Sequence, residues 1–233
     1  MDVKIDKIIK SKRKTIGLEV TPDAKIIVHS PKNATKRQIN DAIEKKSAWI
    51  LEKQQLVLNR RNQNPAKRCE DGETFLLFSK PLTLIFDDSS DCVTVRGEYL
   101  SVPARMRANA QSAITAWYKA QALTVIRERA DFYAAFAGVS YKSLKITSAL
   151  KRWGSCSGSG RLCFTWRLAM APVEMIDYVV VHELSHILHH DHSKAFWSSV
   201  ENFMPDYKVR REWFRENSAL LRPDFFVQQQ SSC

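Results

Sequence analysis

The chain has 233 residues, of which 44% are hydrophobic and 26% are charged, with only 7 glycines and 8 prolines. This composition excludes a disordered or fibrous protein and is typical of a globular protein that buries a substantial core. The 36 Lys and Arg residues against 25 Asp and Glu residues give a formal net charge of +11. Such an excess attracts phosphate backbones, so DNA is a candidate partner of a basic surface, although many basic surfaces are simply solvated.

The N-terminal segment MDVKIDKIIKSKRK alternates charged and apolar residues, and no apolar run is long enough for a signal peptide or a membrane span. We therefore expect a cytoplasmic protein that does not contact a membrane. The 5 cysteines are odd in number and scattered, and none forms a C-x-x-C pair. This pattern argues against a disulfide framework and against a Cys-type zinc finger.

The first third of the chain predicts strands followed by a helix. Residues 15–20 and 24–29 are β-rich runs around Thr21-Pro22-Asp23, which predicts a hairpin. Thr35 and Gln38 form a capping-box signature, and the apolar positions that follow predict a helix to about residue 58. The polar residues 59–71 predict a loop.

Short strand-like runs come next, at residues 74–78, 82–86 and 92–96. The alanine-rich pattern of residues 105–137 predicts a long helix that Gly138 ends. Residues 142–147 and 162–166 predict two further strands, and residues 172–188 predict a helix that is apolar on most of its circumference. The fold class that follows from this order is α+β.

Five of the 6 histidines lie between His182 and His192, and residues 182–186 read HELSH, an H-E-x-x-H motif. On a helix, His182 and His186 project within about 40° of each other, so both imidazoles can reach one zinc ion. Glu183 lies about 100° round the helix, where it can accept a proton from a water molecule at the metal. The motif therefore predicts a hydrolytic zinc site.

A catalytic zinc usually has a third protein ligand and an open position. On a continuing helix His190 would point to a different location along the axis, and His192 can reach the metal only if the helix ends near residues 189–191. The polar run from His189 to Ser193, followed by a new apolar period, favours such an end. We therefore favour His192 as the third ligand, and we interpret His189 and His190 as solvated residues at a helix end.

Several short motifs occur in a fixed order along the second half of the chain, and together they resemble the YgjP-like metallopeptidase family. The segments are RWGSC (152–156), FTWRL (164–168), Ala171-Pro172, IDYVVVHELSH (176–186), His192-Ser193, Phe196-Trp197 and Pro205-Asp206-Tyr207-Lys208. The resemblance covers nearly the whole chain. Where the family commonly has Asn, this chain has Thr165 and Asp191, and neither position is a proposed ligand.

The resemblance implies a zincin-like catalytic domain related to SprT-like and WLM-type proteases. It implies one zinc ion held by His182, His186 and His192, with Glu183 as general base and a protein or peptide as substrate. We accordingly expect a β-rich N-terminal portion with one helix (1–102), a zincin-like catalytic portion (103–227) and a frayed tail (228–233).

Candidate substrate-binding residues lie in two places. The segment Trp153-Gly154-Ser155 is interpreted as an edge that pairs with an extended peptide, although Trp153 is equally well explained as a core aromatic residue. Tyr178 and Tyr207 are candidates for a phenol that stabilises the oxyanion of the reaction. The neighbouring Cys156 is interpreted as a structural thiol.

Two functions from different classes remain open on the sequence. The first is a zinc metallopeptidase, with DNA-associated proteins as candidate substrates by analogy with the SprT-like group. The second is a nucleic-acid-binding protein in which the zinc is structural and no proteolysis occurs. A peptidase that has lost activity is less consistent with the intact Glu183.

Overall fold

The structure is a computed structural model, and it describes residues 4–21, 24–63, 67–218 and 220–221. The chain forms two compact units, Met1–Pro65 and Ala66–Cys233. Both contain helices and strands, which confirms the α+β class. The predicted division after residue 102 differs from this one, because the sheet formed by residues 74–103 shares its core with the second unit. The predicted frayed tail, 228–233, lies outside the described residues.

The first unit contains a three-stranded sheet of β1 (Lys7–Ser11), β2 (Gly17–Val20) and β3 (Ile26–Pro31) in the order β1-β3-β2. Strands β2 and β3 pair antiparallel, as the predicted hairpin requires, whereas β1 pairs parallel to β3 and was not predicted. Pro22 and Asp23 of the predicted turn lie outside the described residues. The unit's core is aliphatic and consists of Ile26, Val28, Ile39, Ile43 and Ile50.

Two helices follow in the first unit, where one had been predicted. Helix α1 (Lys36–Glu44) begins with the predicted capping box, in which Gln38 N donates to Thr35 Oγ1 at 3.2 Å and Thr35 N donates to Gln38 Oε1 at 2.9 Å. The chain then turns at Lys45 and Lys46, and α2 (Ser47–Gln63) continues into the stretch predicted as a loop. No proline or glycine marks this break, which is why the helical pattern alone missed it.

The second unit begins with a four-stranded sheet in the order β4-β5-β7-β6. Its strands are β4 (Thr74–Leu77), β5 (Lys80–Asp87), β6 (Thr94–Arg96) and β7 (Tyr99–Pro103), of which β7 was not predicted. After a 3₁₀ segment, Ala104–Asn109, the long helix α3 (Ala110–Ala137) packs into the same core. Gly138 ends α3 in the left-handed conformation (φ 65°), as predicted.

A second three-stranded sheet follows α3, with the order β8-β10-β9. Its strands are β8 (Ser143–Thr147), β9 (Gly154–Cys156) and β10 (Arg161–Thr165). A 3₁₀ segment, Trp166–Met170, leads into α4 (Val173–Leu188), α5 (Lys194–Phe203) and α6 (Tyr207–Asn217). Residues 176–181 of α4 are all buried, so this helix lies inside the unit, as its apolar circumference predicted. None of the helices in the described part of the chain combines the length and hydrophobicity that a membrane crossing requires.

Candidate metal centre

Three histidines converge at the C-terminal end of α4. One ring nitrogen from each of His182, His186 and His192 lies within 4.8 Å of the other two. The Nε2 atoms of His182 and His192 are 3.1 Å apart. Nitrogen ligands around a tetrahedral zinc ion lie about 3.3 Å apart, so this spacing fits one shared ion. Within the described residues, no other group of histidine, cysteine or carboxylate side chains has a metal-binding spacing.

The chain bends between α4 and α5 in the way that brings His192 back. Helix α4 ends at Leu188, and His189 is extended (φ −139°, ψ 113°). Ser193 then caps α5, because its Oγ accepts a hydrogen bond from Phe196 N at 3.4 Å. The Asp191 carboxylate, where the family commonly has Asn, accepts from Ser193 N at 3.1 Å and so supports this turn. The predicted helix break is confirmed.

The pKa values of His182 and His186 suit ligands of a metal ion. Burial, together with the charges of His186 and His192, lowers the pKa of His182 to about 3. Burial also lowers the pKa of His186, whose Nδ1 lies 3.1 Å from the carbonyl of His189. An Nδ1–H that donates there leaves the lone pair of Nε2 free for a metal. The Nδ1 of His182 is buried and has no hydrogen-bond partner among the described residues.

Phe196 forms the apolar floor of the histidine cluster. Its side chain is fully buried, and its ring centroid lies 4.5 Å from that of His186, 4.8 Å from His192 and 5.0 Å from His182. Trp197 lies beside two of the same imidazoles, at 5.8 Å from both His182 and His192. These rings fix the imidazole orientations and keep the buried side of the cluster dry.

Glu183 is buried against β9. The side chain is 5% exposed, and burial raises its pKa to about 8 against the opposing effects of Arg152 and the Cys156 backbone amide. A Cβ at Gly154 would lie 2.6 Å from both Cγ and Oε1 of Glu183, so only glycine leaves room for the carboxylate here. A carboxyl group whose pKa lies near neutrality is suited to accept and return a proton.

The predicted substrate edge is located beside this carboxylate. Strand β9 is at the margin of its sheet, where β10 is its one partner among the described strands, and Ser155 pairs with Cys163 of β10. Trp153 packs against Phe214 at 5.2 Å, so its ring contributes to packing. Burial raises the pKa of Cys156, in agreement with an unreactive structural thiol.

The two candidate phenols are placed differently. The ring of Tyr178 is buried on α4, 6.0 Å from His182, and burial raises its pKa to about 12. Tyr207 stacks on Trp197 at 5.3 Å and reaches the histidines through that indole. The ring of Tyr178 therefore contacts a histidine of the cluster directly, whereas Trp197 lies between Tyr207 and the histidines.

The sequence matches one family of known proteins. A family model for the YgjP-like metallopeptidase domain matches residues 14–217. The chain belongs to the YgjP-like metallopeptidase family. Membership confirms the resemblance in the sequence motifs, and it makes the chain a metallopeptidase, in which a metal ion takes part in function.

Two solved structures are similar to part of this chain. The metallopeptidase zymogen abylysin of Pyrococcus abyssi is similar over 42% of this chain and 96% of its own, at 20% identity and a TM-score of 0.37. Wss1 from Saccharomyces cerevisiae is similar over 40% of this chain and 82% of its own, at 19% identity and a TM-score of 0.34. A search of curated proteins gave no match.

The motifs of the YgjP-like family did not indicate two contacts that position α4. One is the approach of Gly154 to Glu183. The other is the ion pair in which Asp177 of α4 accepts hydrogen bonds from Arg129 Nε at 2.5 Å and Nη2 at 2.8 Å on α3. Asp177 interrupts an otherwise apolar stretch of α4, and a buried carboxylate of this kind is a signal that a cationic partner must be present.

Proposed function

We propose that this metallopeptidase is a zinc enzyme that hydrolyses peptide bonds within proteins, with the ion held by His182, His186 and His192. The observation that carries the proposal is the convergence of three imidazole nitrogens within 4.8 Å, next to a buried glutamate on the same helix. Three imidazoles that converge in this way form a donor set that suits zinc. When bound, zinc supplies a Lewis acid that polarises the scissile carbonyl and increases the acidity of water.

Glu183 performs the proton transfers in this proposal. Its carboxylate accepts a proton from the attacking water and then returns it to the nitrogen of the leaving amine. The contact with Gly154 and the hydrogen bond from the Cys156 amide hold the carboxylate in place during both transfers. The aromatic rings of Phe196 and Trp197 exclude water from the buried side of the site.

The peptide would lie along the free edge of β9. Main-chain hydrogen bonds to a strand edge hold an extended peptide without regard to its sequence, and this edge adjoins Glu183 through Gly154. Tyr178, whose high pKa keeps it protonated, would donate a hydrogen bond to the developing oxyanion.

Metal analysis combined with protease assays tests the proposal. We expect about one zinc ion per chain, cleavage of an unfolded protein such as casein, and loss of cleavage with a chelator. Glu183→Gln should retain zinc and lose cleavage by about 10³-fold, because the base is removed and the ligands remain. A Glu183→Gln protein that cleaves at the wild-type rate would refute the assigned base, and purified protein without zinc would refute the metal.

We also propose DNA as a partner, because the first unit has an excess of basic residues. Residues 1–65 carry 15 Lys and Arg against 7 Asp and Glu. Exposed basic side chains of this unit include Lys7, Lys10, Lys12, Arg13 and Lys14. DNA binding should weaken steeply with salt and persist in Glu183→Gln. If DNA binds and the wild-type protein cleaves nothing with or without it, the site is structural; if salt leaves binding unchanged, the DNA proposal fails.

A further inference from the structure

One face of α6 points toward the histidine cluster. Tyr207, Arg211 and Phe214 recur at helical spacing and so share this face. Tyr207 and Phe214 are buried, the first against Trp197 and the second against Trp153 and Tyr178. Arg211 lies between them and is exposed. On the face of α6 that packs against the site, Arg211 is therefore the residue that solvent can reach between two buried aromatic rings.

Ring contacts place the guanidinium of Arg211 at the border of the cluster. Its Cζ lies 5.2 Å from the centroid of the Trp197 ring. That ring is 5.8 Å from the imidazoles of His182 and His192. The positive charge of Arg211 is also among the causes that lower the pKa of His182, which is consistent with this proximity.

Arg211 differs from the other basic residues of α6 in its partners. Arg210 binds Asp206 at 2.9 Å, Arg215 binds Glu212 at 2.8 Å, and Lys208 binds Glu201 at 3.1 Å. Among the described residues, Arg211 makes no ion pair. Its guanidinium instead lies over the ring of Trp197, and this cation–π contact is compatible with hydrogen bonds from the N–H donors to a carboxylate.

We propose that Arg211 is a specificity-determining residue that binds a carboxylate of the peptide substrate beside the scissile bond. The inference rests on the proposed peptidase function and adds to it a class of preferred substrate. A planar guanidinium pairs with a carboxylate through two parallel hydrogen bonds, and the indole of Trp197 orients the guanidinium for that pairing. The carboxylate comes from an Asp or Glu side chain or from a free peptide C terminus.

Quenched fluorescent peptides separate these two sources. One set places a single Glu at each position around a fixed cleavage sequence, with Gln at the same position as the isosteric control and an amidated C terminus. A second set compares free and amidated C termini in peptides without acidic side chains. Each set is assayed with wild type, Arg211→Met, Arg211→Lys and Arg215→Met, the last being a control that removes a charge from the same helix.

We expect the wild-type enzyme to cleave the best carboxylate peptide about tenfold faster in kcat/KM than its neutral control, mainly through KM. Arg211→Met should bring this ratio to about one with an unchanged Tm, Arg211→Lys should restore part of it, and Arg215→Met should match wild type. Equal rates for the wild type on both members of every pair, or a preference that persists in Arg211→Met, would overturn the inference. In both cases cleavage of neutral peptides leaves the proposed peptidase intact, whereas no cleavage of any peptide refutes both.

Discussion

Asp177 and His182 lie little more than one turn apart on α4, and both have polar side-chain atoms that are buried. Asp177 is satisfied by the protein itself, since Arg129 and Tyr133 donate hydrogen bonds to both of its carboxylate oxygens. Among the described residues, the Nε2 of His182 has no such donor, because it lies 3.1 Å from the Nε2 of His192, and two imidazole nitrogens at this distance can share a metal ion. A closed polar network of the first kind holds elements together, whereas an open one of the second kind is suited to bind something else.

The largest expected effect comes from breaking the closed network. Asp177→Ala leaves Arg129 without its carboxylate, so the free energy of unfolding should fall by about 3–5 kcal/mol, measured by urea denaturation. A double variant, Asp177→Leu with Arg129→Met, removes both charges and should recover most of this loss. An Asp177→Ala protein within about 1 kcal/mol of wild type would show that the pair does not hold α3 to α4.

Zinc binding to the imidazole nitrogens of His182, His186 and His192 should stabilise the folded protein. At about 100 times its dissociation constant, zinc should raise the free energy of unfolding of the chelator-treated protein by about 2.7 kcal/mol. His192→Ala should lose this stabilisation, while His190→Ala, an exposed histidine outside the cluster, should keep it. Zinc stabilisation that survives in His192→Ala but disappears in His190→Ala would reassign the third ligand.

Gly154→Ala tests how finely Glu183 is placed. The new methyl group would meet the carboxylate at 2.6 Å, so the side chain must move, and kcat should fall by about 100-fold while the zinc content stays unchanged. Gly158→Ala is the control, because a Cβ there has no atom within 4 Å. Equal loss of activity in both variants would point to a general effect of alanine in this β-hairpin.

The smallest expected effect concerns the turn that brings His192 back. Ser193→Ala removes the cap of α5 and should lower the free energy of unfolding by about 1 kcal/mol. Ser193→Asp keeps an acceptor at the same place and should stay close to wild type. Urea denaturation of both variants checks this, and equal stabilities for Ser193→Ala and Ser193→Asp would show that the cap contributes little.

Local spacing predicted the parts of the site that lie close together in the chain. His182 and His186 share a helix face, so their convergence follows from geometry alone, and the polar run after Leu188 correctly indicated where α4 ends. Gly138 likewise marked the end of α3. Each of these features depends on residues within one or two turns of each other.

Other features were missed because they join distant parts of the chain. The β1 segment, KIIKS, is a strand only because β3 pairs with it, and its own pattern of charged and apolar residues gives little indication of that. Strand β7 was missed in the same way, since its parallel partner β5 precedes it by a whole strand. The contacts of Asp177 with Arg129 and of Gly154 with Glu183 cross between elements that no periodicity connects.

Two of the proposed ligands, His182 and His186, lie on α4, while the third, His192, lies in the short junction that precedes α5. In the proposed zinc enzyme, an ion bound by all three histidines would therefore link the end of α4 to the start of α5. The binding energy of the ion would then also contribute to the stability of α5. Stripping the ion should accordingly loosen the amides of α5 before those of α4, in an order that hydrogen exchange can record.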